Sequence, residues 1–178
     1  MKKVLVFLIL ILCMFSLAKV VYAAPICRWD NPKAIKTYIE PNEKKELMKK
    51  AFAKWSQATN DKVVFVYISD PFNADITVKF VKDVSKDIKM ERAIGAAIPQ
   101  FLGHRLVIVD ILIANNAPNG AMFRKDAVYQ IMLHEIGHAL GLFEHSKDPK
   151  SIMYPAKVSR YQDITPEDLA NLAELYSW

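Results

Sequence analysis

His134-Glu135-Ile136-Gly137-His138-Ala139-Leu140-Gly141-Leu142-Phe143-Glu144-His145 holds three of the chain's four histidines in twelve residues. His134, Glu135 and His138 are the only ionisable side chains between Ile131 and Phe143; the rest are apolar or glycine. On a helix, residues four apart share a face, so both histidines point one way and Glu135 stands about 100° round. Burying three polar groups on an apolar helix costs several kcal/mol unless each finds a strong partner. A divalent metal held by both imidazoles supplies one, and leaves the carboxylate beside it to handle a proton. The segment reads as a catalytic zinc site.

Two hydrogen-bonded core histidines are the simpler alternative for any isolated H-E-x-x-H. Here Gly141 follows to end the helix, then a third histidine, and then Ser151-Ile152-Met153-Tyr154-Pro155. Together these favour the zinc reading.

The N-terminus qualifies the composition. Lys2 and Lys3 precede an apolar run from Val4 to Leu17, and Val21-Tyr22-Ala23 offers a small-residue cleavage pattern. Residues 1–23 therefore read as a secretory signal peptide, with an uncleaved membrane anchor as the alternative. The remaining 24–178 is one domain large enough for a proper core. Losing Lys2, Lys3 and Lys19 leaves 21 basic against 19 acidic side chains, so the net charge falls from +5 to +2. Nothing in that balance suggests nucleic acid. Cys27 alone survives signal removal, which excludes an internal disulfide and leaves a plain or intermolecularly paired thiol.

Along the domain, Ala34–Ile39 reads as a strand. Asn42 reads as the cap of a helix to about Thr59, with Met48, Ala51, Phe52 and Trp55 at core spacing. Lys62–Ile68 reads as a strand, and Ala74–Val81 as another with Ile76, Val78 and Phe80 inward. The charged stretch 82–92 reads as a surface loop. Ile94–Ile98 reads as an edge strand stopped by Pro99, and Arg105–Ala114 as a long apolar strand. The motif helix spans about Asp126 to Leu140. A last helix is capped by Thr165, with Pro166 in its first turn, Asp168 completing a T-x-x-D box, and Leu169, Leu172, Leu175 and Tyr176 as its packing face. The fold class is α+β, one mixed sheet covered by helices.

These residues resemble the metzincin clan of zinc peptidases, and within it the matrixin family. The resemblance is carried by His134-Glu135-x-x-His138-x-x-Gly141 with His145-Ser146, by Ser151–Pro155 as a Met-turn, and by Asp163–Leu169 with Tyr176 as a closing helix. Arg28-Trp29 ahead of Lys36–Ile39 is similar to the family's first strand. The serine after the third histidine points to matrixins over other metzincins. The resemblance implies a zincin-like domain with a five-stranded twisted sheet, one antiparallel edge strand, three main helices and a cleft over the zinc. It implies His134, His138 and His145 as ligands, Glu135 as the base that activates water, and Met153 as a packing floor. Gly141 would leave the helix in a left-handed conformation and return the third ligand. Gly95, Ala96 and Ala97 on the edge strand and Pro155 after the Met-turn would line the substrate cleft.

The departures bear on the site. Matrixins place two residues between the glycine and the third ligand; this chain has Leu142, Phe143 and Glu144. Glu144 thus occupies the usual register, and is the alternative ligand to His145. Residues 82–93 lack the histidines and glycines of the animal family's metal loop, and Ala96 stands in place of its edge-strand histidine. One zinc, and no structural zinc or calcium, is the expectation. The matrixin tyrosine two residues past Pro155 is missing. His104 reads as a surface turn residue. Cys27 is only faintly similar to a propeptide switch cysteine.

The leading reading is a secreted zinc endopeptidase, monomeric, acting on peptides or proteins, with no stable membrane association once the signal is cut. A non-catalytic zinc-binding protein of the same fold, and a membrane-tethered processing peptidase, are the competitors.

Overall fold

The computed structural model describes residues 26–85, 93–117, 120–155 and 161–178. The expected signal peptide lies outside them, as does most of 82–92. A five-stranded sheet runs in the order β2-β1-β3-β5-β4, where β1 is Ile35–Ile39, β2 Phe65–Tyr67, β3 Ile76–Val81, β4 Gly95–Leu102 and β5 Arg105–Ala114. β1, β2, β3 and β5 are parallel, and β4 alone is antiparallel, against β5. Three helices complete the described fold: α1 (Lys45–Ala58), α2 (Lys125–Ala139) and α3 (Pro166–Tyr176). Among the described residues no helix is long and apolar enough to cross a membrane.

Helix α1 buries Met48, Ala51, Phe52 and Trp55, the face that their i, i+3, i+4, i+7 spacing dictates. They meet Ile76, Val78 and Phe80 of β3 and Val109, Ile111 and Ile113 of β5 in one core. Trp55 also donates from Nε1 to Leu133 O at 2.9 Å, tying α1 to α2. Helix α2 lies against β4 and β5. The opposite face of β5 carries Leu112 and Ala114, which pack with Val84.

Several boundaries differ from the sequence reading. Asn42 does not cap α1: its side chain accepts from Lys44 N at 3.0 Å, forming a turn that delays the helix to Lys45. Lys62–Ile68 shrinks to Phe65–Tyr67, because Asn60 and Asp61 both adopt positive φ and Lys62 N closes a turn onto Thr59 O. Ala34 belongs to a 3-10 turn, and Ala74 and Asp75 precede β3. Val84 is fully buried, so the start of the charged stretch is not all surface.

Pro99 does not stop β4, which continues to Leu102. Ala114 N donates to Ile94 O, and the pairs Gly95–Ile113, Ala97–Ile111 and Pro99–Val109 therefore fall at the non-hydrogen-bonded positions of the ladder. Their nitrogens point away from β5. The missing proline N–H is on the edge that no other described strand pairs, so no ladder bond among the described residues is lost.

Cys27 is fully buried, with its thiol donating to Gly103 O at 3.6 Å. Burial pushes its pKa up, and intermolecular pairing has no access to it. Native protein should therefore leave Cys27 unlabelled by a thiol reagent over minutes, with full labelling in denaturant. Rapid native labelling would show that the N-terminal segment opens.

Candidate metal centre and active site

Helix α2 carries His134 and Glu135, both buried, and His138, which is partly buried. The helix ends in a turn that its sequence specifies. Gly141, at φ +101°, puts its Cα against the Cys27 carbonyl, where any Cβ would collide. Gly141 N donates to His138 O and Leu142 N to Gly137 O, the paired bonds of a Schellman motif. The extra residue of this chain is absorbed there: Phe143 N turns back onto Gly141 O, Glu144 faces solvent, and His145 returns to the helix.

The imidazole nitrogens of His134, His138 and His145 lie within 4.8 Å of one another. Glu144 is not in that group. His134 Nδ1 lies 2.6 Å from Ile152 O and His138 Nδ1 2.6 Å from Leu142 O, so each Nδ1 carries the proton that it donates. Their Nε2 atoms are then lone-pair acceptors, yet they stand 3.1 Å apart. Two acceptors at that distance need a cation between them. Burial lowers the pKa of both imidazoles, His138 to about 3, which keeps them neutral. Two neutral imidazoles, with the ring of His145 converging on them, fit a zinc ion with an open position.

Glu135 is 6% exposed, and burial pushes its carboxyl up to about 8, opposed in part by a backbone hydrogen bond from Ala97. The edge strand lies directly on it. A Cβ at Gly95 would come within 2.5 Å of Glu135 Oε1 and 2.7 Å of Ile131 Cγ2. Position 95 thus needs glycine for the strand and the carboxylate to share that space. Ala96 and Ala97 are partly buried beside it, and Pro155 is exposed after the Met-turn. His104 is exposed at the β4–β5 turn, with Nδ1 2.9 Å from Ile26 O, and is not part of the cluster.

Met153 is buried, and its sulfur fills the space that a side chain at Gly137 would take. The Met-turn is held from α3. Ser151 Oγ donates to Asp168 Oδ1 at 2.6 Å and accepts from Met153 N at 2.9 Å. Asp168 Oδ2 meanwhile accepts from Thr165 N at 2.8 Å, completing the capping box. Sequence reasoning treated α3 as packing alone and missed this link. The box itself was the available signal, since its carboxylate has an oxygen to spare. Ser151→Ala leaves that oxygen and Met153 N unpaired, and should destabilise the fold by about 1–3 kcal/mol, read from denaturant midpoints. An unchanged midpoint would mean that the link is dispensable.

A mixed five-stranded sheet with one antiparallel edge, a helix bearing the first two histidines and a Met-turn beneath them define the metzincin architecture. A family model described as Matrixin matches residues 29–177, and the chain belongs to the matrixin family. Metalloendoproteinase 1-MMP of Arabidopsis thaliana is 26% identical over 146 residues, covering 78% of this chain and 39% of that protein. Probable matrix metalloproteinase 095L of Invertebrate iridescent virus 3 is 51% identical over 51 residues, 29% of this chain and 14% of the relative. The chain thus spans well under half the length of these relatives. Among solved structures, archaemetzincin from Methanopyrus kandleri superposes with a TM-score of 0.52 at 12% identity, over 82% of this chain and 97% of that one. Myroilysin does so at 0.55 and 11% identity, over 85% and 84%. These two share the fold.

Proposed function

We propose that the chain is a secreted zinc endopeptidase, with His134, His138 and His145 as metal ligands and Glu135 as general base. The observation that carries this reading is a buried carboxylate next in sequence to the first of three converging imidazoles, under a free strand edge. A zinc ion bound there would supply an acidified water and polarise the peptide carbonyl. Glu135 accepts a proton on its carboxylate and later delivers it to the leaving amine. Burial disfavours the charged carboxylate, and a cation beside it restores the charge. The free edge of β4 holds extended peptide by strand addition. It presents mainly acceptors, since Pro99 has no N–H and Glu135 engages that of Ala97.

A non-catalytic role is disfavoured, because a purely structural zinc site gains nothing from burying Glu135. Lys2, Lys3 and the apolar run to Leu17 support export, and Val21-Tyr22-Ala23 supports cleavage over retention as an anchor. One zinc, with no structural metal, and a monomer acting on peptide or protein substrates complete the proposal. The test is to incubate residues 24–178 with an unfolded protein and map the products by mass spectrometry. Internal cuts are expected, and trimming from the termini alone would contradict an endopeptidase.

A further inference from the structure

Helix α2 ends where the chain must turn back with His145, and two side chains from opposite ends of the sequence hold that end. A helix leaves its last four carbonyls without internal partners. The turn itself takes two of them: Leu142 N satisfies Gly137 O and Gly141 N satisfies His138 O. The carbonyls of Ala139 and Leu140 remain. Trp29 Nε1 donates to Ala139 O at 2.9 Å, and the Tyr176 hydroxyl donates to Leu140 O at 3.0 Å. The two clasping residues are joined, since Trp29 N donates to the Tyr176 oxygen at 3.3 Å. Both are buried.

What the clasp holds leads directly to the metal site. The accepting carbonyls are one and two residues past His138. Two residues further, Leu142 O receives the His138 Nδ1 proton and sets the ring's orientation. Three residues beyond that, His145 closes the cluster. A shift of the helix end therefore moves one ligand's hydrogen-bond partner and another ligand's backbone.

We propose that Trp29 and Tyr176 are positioning residues of the metal centre: their two hydrogen bonds fix the 139–142 turn, and through it the His138 ring and the approach of His145. This rests on the zinc reading above. Loss of a partner bonded directly to a ligand weakens metal binding by about 10–100-fold, and the clasp acts one step further out, through the turn.

The experiment compares Trp29→Phe, which removes the indole N–H together with part of the ring, and Tyr176→Phe, which removes a single oxygen, with Phe65→Leu, a buried control on β2 at the far edge of the sheet. Zinc Kd is measured on folded protein by chelator competition, the visible spectrum of the cobalt(II)-loaded protein reports ligand geometry, and Tm is followed in parallel. Both clasp variants should raise the zinc Kd severalfold, toward the roughly tenfold cost of losing a ligand's direct partner, and alter the cobalt bands. The control should lower Tm with Kd and spectrum unchanged. Clasp variants that lower Tm but keep the wild-type Kd and spectrum would overturn the inference. If the wild-type chain takes up no zinc, the zinc reading fails along with it. Should Trp29→Phe not fold, Tyr176→Phe, which loses a single oxygen, decides the matter alone.

Discussion

Glu135→Ala should retain one zinc per chain while peptide cleavage falls by about 10²–10⁴-fold or more, the range for a lost general base. The imidazoles do not need the carboxylate. His134 and His138 are oriented by Ile152 O and Leu142 O, and His145 by the turn after Gly141. Glu135 instead lies under β4, against Gly95. Glu135→Gln keeps the side chain's volume in that space and should show the same pattern, separating proton transfer from packing. Loss of zinc in both variants would mean that Glu135 builds the site instead of using it.

His145→Ala should weaken zinc binding by more than about 100-fold, beyond what loss of an outer partner costs. Glu144→Ala should leave zinc content unchanged. The two residues compete for one role because the chain carries one residue more than the usual spacing. The fold resolves the competition by tightening Phe143 back onto Gly141, so that Glu144 faces solvent and the next side chain joins the cluster. His145 is itself exposed, on a loop outside α2, which makes it the least supported of the three proposed ligands. Metal content by mass spectrometry after gel filtration distinguishes the pair. Zinc lost with Glu144→Ala and kept with His145→Ala would place this chain among sites with two histidines and one glutamate.

Most of this was legible in the sequence, for identifiable reasons. Helical periodicity placed α1, which buries one face, while the histidine motif placed α2, which is buried nearly all round, and capping signals placed α3. The capping box at Thr165–Asp168 and the left-handed turn at Gly141 are local chemistry that short stretches of chain carry unaided. Ends of strands were less legible. Pro99 reads as a terminator until the ladder shows its nitrogen on the free edge, and consecutive positive φ angles at Asn60 and Asp61 leave no mark on a hydrophobicity pattern. Long-range polar links were invisible for a different reason. Trp29 meets Ala139 across 110 residues, and Ser151 meets Asp168 only once α3 has docked. Neither pairing has a local sequence signature.

On the proposed function, a single zinc ion held by three histidines makes this chain a peptidase. The most direct test is a metal titration of chelator-stripped protein against an internally quenched peptide. Stripping should abolish cleavage, and added zinc should restore it in proportion, saturating at one equivalent per chain with no calcium required. Cleavage that survives stripping, or that returns only with a second metal, would contradict a one-zinc peptidase.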